Sequence, residues 1–296
     1  MKIVKFTNIL SAVALVGFTA YVLLDAFVIP RSYEKVDKTE YAIEADETLD
    51  ESTAEYTDTG YTDSTTNIEF TTYRENDTTI YVADVTLSRV DSIKTAFAKD
   101  TYGKNITEKT SVTAYKNNAL LAINGDYYSA RNGYVIRNGV LYRSTSAGKN
   151  QEDLVIYLDG SAEIIKEGEI TAEELLDKGA LHVFCFGPGL VDDGEIIVDE
   201  DDEVGRAMAS NPRTAIGWID DLHYVLVVSD GRTGESEGLS LEELAEFMKN
   251  LGCKVAYNLD GGGSSTMYYN GEIINNPTTN GRKISERSVS DIVYIG

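Results

Sequence analysis

From Ile68 onward the apolar residues fall in short β-branched and aromatic runs, each closed by a cluster of Gly, Asn, Asp or Pro. A chain punctuated in this way has few stretches long enough for helices, so it must pair strands and bury a face of each. Ile80-Tyr-Val-Ala-Asp-Val-Thr-Leu87 has strand chemistry throughout. Tyr134 to Tyr142 reads as a hairpin turning at Asn138-Gly139, and Leu154 to Ile165 as another turning at Asp159-Gly160. Two helices interrupt the strands, each opened by a capping box: Thr171 with Glu174, and Ser240 with Glu243. After the second box Leu241, Leu244, Ala245, Met248 and Leu251 recur at helical spacing and Gly252 supplies the stop, so that stripe reads as core. The expected fold is α+β: a single strand-rich mixed domain with a few helices over residues 68–296, without internal repeats.

The N-terminal residues follow another logic. Ile9 to Leu24 is an uncharged apolar run that resumes after Asp25 and ends before Pro30, which is about the length a bilayer crossing requires. Lys2 and Lys5 precede it, so the positive-inside rule keeps the N-terminus in the cytoplasm and sends the rest outside. Residues 1–30 are therefore expected to be a cytoplasmic tip and a transmembrane signal anchor, with residues 9–29 in the cell membrane. A cleaved signal peptide is the rival reading; the length of the run and the lack of a small-x-small site favour the anchor. From Arg31 to Asn67 eleven acidic residues stand against three basic ones with no apolar periodicity, the composition of an extended, self-repelling stalk. The alternating Tyr56 and Tyr61 would alternatively suit an edge strand.

The 49 acidic and 26 basic residues give a net charge of -23, which makes nucleic acid a poor partner and requires local arginines for any anionic ligand. Cys185 and Cys253 lie in apolar surroundings without C-x-x-C spacing and read as buried free thiols. His182 and His223 sit in strand-like runs, as core or edge residues. Two histidines so placed argue against a zinc enzyme or a histidine-based hydrolase.

Four strands run straight into polar clusters, where rigid scaffolds usually place sites. They lead into Asn124-Gly125-Asp126-Tyr127-Tyr128, Pro212-Arg213-Thr214, Asp230-Gly231-Arg232 and Asn258-Leu259-Asp260-Gly261-Gly262-Gly263-Ser264-Ser265-Thr266. Three successive glycines let backbone approach a ligand, so Gly261, Gly262 and Gly263 could offer N–H groups to an oxyanion directly after Asp260. The same residues also read as a turn capped by Asp260. No Gly-Lys-Ser/Thr follows, so the loop is not a P-loop. Arg213, Arg232 and Arg287 are candidate phosphate ligands, although an arginine taken singly is more often a surface or ion-paired residue. Glu286 reads as a second carboxylate or as a partner for Arg287.

These segments, in order and joined by Glu286-Arg287-Ser288-Val289-Ser290, resemble the motif set of the phosphodiester glycosidase family, from about Ala119 to Gly296. That family includes members acting on N-acetylglucosamine phosphodiesters and bacterial members associated with exopolysaccharide. The resemblance implies hydrolysis of a sugar C1–O bond with a phosphate monoester leaving, which the expected topology would place outside the cytoplasm. Such a leaving group needs little protonation, so positive charge and N–H donors on the phosphate become the main requirement. The oxocarbenium-like transition state calls for a carboxylate, first Asp260 and second Glu286. Asn124, Asp126, Arg213, Asp230, Arg232, Gly261, Gly262, Gly263, Ser264, Thr266 and Arg287 would surround the substrate, and Tyr127 or Tyr128 could stack on a sugar. Other members often carry Gly-Gly where this chain has Gly125-Asp126, which argues against Asp126 as an essential acid. No cofactor is required by the sequence; oxygen ligands alone can bind Ca²⁺ or Mg²⁺, which leaves Asp126, Asp230 and Asp260 as a candidate cation set. The expected partners are a glycan or glycophosphate substrate and the membrane. The competing functions are a noncatalytic cell-envelope glycan-binding module and a metal-dependent phosphodiesterase.

Overall fold

The computed structural model describes residues 2–35, 54–57, 59–198 and 209–296. Period-two burial and turn chemistry give antiparallel pairing in every strand pair among them, and three sheets carry the fold. The largest has nine strands in the order Glu195–Ile196, Gly189–Asp192, Val255–Asn258, Arg213–Asp220, His223–Ser229, Thr78–Leu87, Thr66–Glu75, Gly60–Thr62 and Glu55–Thr57. One face packs through Ile68, Val85, Ile216, Leu226 and Tyr257 against Leu121, Ile123, Val293 and Ile295 of a five-stranded sheet. The order of that second sheet is Glu272–Ile273, Met267–Tyr269, Leu121–Asn124, Asp291–Ile295 and Ile93–Phe97. The opposite face of the large sheet is covered by helix Leu241–Asn250, whose Leu241, Leu244, Ala245 and Met248 are buried on Val225, Val227 and Ala256. A third sheet holds both expected hairpins, with Asn138 and Gly139 both at positive φ between Val135–Arg137 and Val140–Arg143. The strand-rich mixed class and both capping boxes are as expected. Cys185 and Cys253 are buried free thiols, and His182 is a buried core residue.

The N-terminal expectations need correction. Among the described residues no helix is long and apolar enough to cross a membrane. A helix does span Lys2–Phe27, but its described side chains begin at Ser11, and the stretch from there carries Thr19 and Asp25. That described stretch is not apolar enough for a bilayer crossing. The helix end is tied to the domain instead: Asn105 Nδ2 donates to Ile29 O at 3.0 Å, and Arg31–Ser32 pairs with Gly103–Lys104. The segment read as a stalk enters the fold at its far end. Glu55–Thr57 and Gly60–Thr62 extend the large sheet, with Tyr56 edge-on to Tyr61 at 4.9 Å, which is the edge-strand alternative. Residues 36–53 of the stalk expectation lie outside the described residues.

Candidate functional site

Register brings the motifs together. Ala215 pairs with Asn258, Arg213 with Ser229 and Ile292 with Asn124, all antiparallel. The carboxyl ends of Leu121–Asn124, His223–Ser229 and Val255–Asn258 therefore meet the amino ends of Arg213–Asp220 and Asp291–Ile295 at one edge. Asn124, Arg213, Asp230, Asp260 and Asp291 gather there although they are far apart in sequence.

Asp260 is the centre of this edge. Its side chain is buried, and Arg287 Nη2 donates to Oδ2 at 3.0 Å and to Oδ1 at 3.3 Å. The same guanidinium donates from Nε and Nη2 to Ser264 Oγ at 2.9 and 2.6 Å and from Nη2 to Gly261 O at 3.3 Å. Burial pushes the Asp260 carboxyl above its ordinary value, while Arg287, the Ser264 hydroxyl and the charge of Arg131 pull the other way. The Arg287 side chain is 43% exposed, so the pair has one side in the protein and one in solvent. Below it Asn124 Nδ2 donates to Asp260 O at 2.6 Å, and the Asp260 N–H reaches Gly125 O at 3.3 Å.

Close packing requires the glycines of this loop. Gly262 has φ +64°, and a Cβ there would stand 2.9 Å from Arg232 Nη2; a Cβ on Gly261 would stand 2.9 Å from Pro212 O. A Cβ on Gly263 would run into the Thr279 hydroxyl. The N–H groups of Gly262, Ser264 and Ser265 donate to Pro212 O, Gly261 O and Gly262 O, and that of Thr266 to Asn124 Oδ1. Of the three glycine N–H groups expected to face an oxyanion, that of Gly262 is spent on Pro212 O. The guanidinium groups supply the positive charge for an anion.

Several expected site residues are turned inward. Asn124 is fully buried, and its Oδ1 accepts from Thr214 Oγ1 at 2.9 Å as well as from Thr266 N, so it locks three segments together and has no group left for a sugar. Thr266 is buried with its hydroxyl unpartnered. Asp126 is buried against Arg137, 2.8 Å away, and accepts from Cys185 N and Tyr128 N. Arg137 also reaches Asp291 at 3.1 Å. Burial opposes ionisation of Asp126, but Arg137 and the Cys185 N–H hold its carboxyl below the ordinary value; Asp291, buried beside that charge, is pushed up to about 7. Of the two carboxyls, Asp291 is therefore the one that takes up a proton more readily. A Cβ on Gly125 would stand 2.5 Å from the Asp291 carboxyl, which explains the glycine.

Asp230 accepts from Asn276 N and Nδ2 at 2.8 and 3.0 Å, anchoring the segment beside the glycine loop. Glu286 does not join Asp260: Ser111 N and Oγ donate to it at 2.9 and 2.6 Å, so it caps the short helix Thr110–Lys116. Arg213 is buried and donates from Nε to Leu239 O at 2.8 Å. Arg232 is exposed above Gly262, held by Asn211 Oδ1 and Thr279 O. Tyr128 is core, stacked on Tyr102 with centroids 5.1 Å apart; Tyr127, half-buried at φ +58°, remains beside the site. Among the described residues no group of three or more His, Cys, Asp or Glu could hold a metal ion.

Two arginines were missed in the sequence. Arg131, 3.8 Å over the Phe186 ring, lends its charge to Asp260, and Arg137 is the buried hub of the triad. Arg131 follows the Asn124 cluster and could have been found as a polar residue at a strand end; Arg137 looked like an ordinary hairpin residue. The edge thus offers one carboxylate, Asp260, flanked by Arg287, Arg131 and Arg232. Such a set can stabilise positive charge at one atom and negative charge at its neighbour.

A family model described as phosphodiester glycosidase matches residues 117–296. The chain is 30% identical over 199 residues to an uncharacterized SPbeta prophage-derived protein of Bacillus subtilis, covering 66% of this chain and 30% of that one. It is 30% identical over 184 residues to the N-acetylglucosamine-1-phosphodiester alpha-N-acetylglucosaminidase of Mus musculus, covering 56% of this chain and 35% of that one. The chain thus spans about a third of the length of the curated relatives it matches. Among solved structures, the catalytic domain of the zebrafish enzyme of that name, auto-inhibited by its pro-peptide, shares the fold with a TM-score of 0.63 at 20% identity, covering 90% of this chain and 87% of that one. A putative exported protein from Burkholderia pseudomallei gives 0.53 at 15% identity, with 74% of each chain covered. With more than half of its residues under the family model, and the motifs of that family converging on one sheet edge, the chain belongs to the phosphodiester glycosidase family.

Proposed function

We propose that this chain hydrolyses the C1–O bond of a sugar-1-phosphodiester in a cell-envelope or exopolysaccharide glycan. The observation that carries the reading is the solitary carboxylate of Asp260 set against Arg287 at a solvent-facing edge. Glycosidases acting on ordinary alcohol leaving groups need a second carboxyl as general acid. Here Asp126, Asp230 and Glu286 are each engaged elsewhere. A phosphate monoester leaves as a stable anion and needs no such acid, so one carboxylate with nearby cations suffices. Asp260 acts at C1 as nucleophile or as base for water, and Arg287, Arg131 and Arg232 neutralise the departing phosphate. Ser264 fixes Arg287 so that it orients the carboxylate without drifting into solvent. The named activity of the mouse relative, on N-acetylglucosamine-1-phosphodiesters, supports this substrate class. We further propose an extracytoplasmic location, taking the N-terminal apolar run as an export signal; cell fractionation tests it.

The test is turnover of a sugar-1-phosphodiester by the full chain in ¹⁸O-water, with and without chelator, beside Asp260→Asn. Label in the sugar and a loss of at least about 10³-fold in the variant are expected. Label in the phosphate, dependent on metal, would favour the phosphodiesterase. Glycan binding without turnover would favour the binding module, and a fully active variant would remove Asp260 from the chemistry.

A further inference from the structure

We propose that a second glycan-binding site lies at the other end of the strand that carries Asn124. The site is a surface pocket of about 500 Å³ between helix Thr110–Lys116 and the turn at Asn270, with Tyr56, Tyr115, Asn118 and Asn270 among its lining residues. Its ligand class is a neutral oligosaccharide. The two tyrosines are displayed where burial would be favourable: Tyr115 is 74% and Tyr56 56% exposed. Tyr56 is steadied by its edge-on contact with Tyr61 at 4.9 Å, so its ring direction is set by the fold.

The two asparagines occupy left-handed turn positions, Asn118 at φ 52° and Asn270 at φ 44°. Their main chains are anchored: Asn118 N donates to Tyr115 O and Asn270 N to Leu120 O at 2.8 Å. Among the described residues no partner is found for either carboxamide, so both remain available to vicinal hydroxyls as paired donor and acceptor. Lys116, the cation of the pocket, is neutralised by Glu108 at 2.5 Å. Among the described residues that line it, an anionic ligand therefore has no unpaired cation to bind, which sets this pocket apart from the arginine-flanked edge at Asp260. Exposed rings that stack on the apolar face of a sugar, with carboxamides beside them for its hydroxyls, are the chemistry of oligosaccharide recognition. The strand Leu121–Asn124 separates the pocket from the Asp260 edge by roughly 10 Å, at about 3.4 Å per residue. The inference stands whatever reaction Asp260 performs.

The test is saturation-transfer NMR and calorimetric titration of the full chain with an N-acetylglucosamine tetrasaccharide and a glucose tetrasaccharide, with inorganic phosphate as the anionic probe. Saturable binding of a tetrasaccharide is expected, weakened at least about tenfold by Tyr115→Ala and by Asn118→Ala/Asn270→Ala, and unchanged in Asp260→Asn. Tyr115 is a surface residue, so its variant keeps the fold, which circular dichroism verifies. Absence of saturable tetrasaccharide binding overturns the proposal. Binding lost in Asp260→Asn but kept in Tyr115→Ala overturns it equally, and so does phosphate displacing the sugar.

Discussion

Replacing Arg137 by Met removes the one cation between two buried carboxylates, and the structure sets how large the penalty must be. Asp126 and Asp291 lie 2.8 and 3.1 Å from the guanidinium, and all three side chains are at most 1% exposed. Arg137 also donates to Val183 O and Ile136 O and lies 4.5 Å over the Phe184 ring. With the cation gone, Asp126 keeps its Cys185 and Tyr128 N–H partners but becomes an uncompensated buried charge, a loss of about 3–5 kcal/mol. Against a domain stability of about 5–15 kcal/mol this is a large fraction. Urea unfolding followed by far-UV circular dichroism measures it. The triple variant Asp126→Asn/Arg137→Met/Asp291→Asn removes all three charges and is expected to recover most of the loss, because the single variant suffers from the orphaned carboxylate and not from the missing volume. A loss below about 1 kcal/mol in Arg137→Met would refute the reasoning. So would a triple variant no more stable than the single one.

The same triad gives a pH signature. Unfolded Asp291 ionises near 3.8, while the folded group keeps its proton to about 7, so the native state binds more protons in that window and stability contributed by this group falls as pH rises through it. Asp291→Asn is expected to gain on the wild type by up to about 4 kcal/mol between those limits, read from denaturation midpoints across pH; a difference independent of pH would count against the assignment. Glu286→Ala is expected to cost about 0.5–2 kcal/mol through loss of the Ser111 cap while leaving kcat within a few-fold, and a hundredfold fall in kcat would return Glu286 to the chemistry. In Gly263→Ala the new methyl would meet the Thr279 hydroxyl and stand 3.1 Å from its Cα. The segment packed on the loop must then move, so turnover should drop together with Tm; an unchanged Tm would show that the segment can give way.

Much of the fold was legible in one dimension because its causes are local. Capping boxes at Thr171 and Ser240, the Asn138-Gly139 turn and the stripe from Leu241 to Met248 depend on spacing and backbone preference within a few residues, and each forms as expected. The N-terminal run reads as a span from apolar composition alone, whereas among the described residues no helix is long and apolar enough for one and Asn105 ties the helix end to the domain. The motifs were also legible as polar clusters at strand ends, but their roles were not. Asn124, Asp126 and Asp260 all read alike as polar residues at strand ends. The burial of Asn124 and Asp126 is decided by antiparallel register, which places Asn124 opposite Ile292 and brings Arg137, a hairpin residue, onto Asp126 and Asp291. Sequence by itself determined the strand-rich architecture, the family motifs and the carboxylate worth testing. Only the tertiary structure decided which charges neutralise one another inside and that the pair at the site edge, Asp260 with Arg287, faces solvent, because electrostatic partnership depends on distances of a few ångströms between segments that the chain order holds far apart.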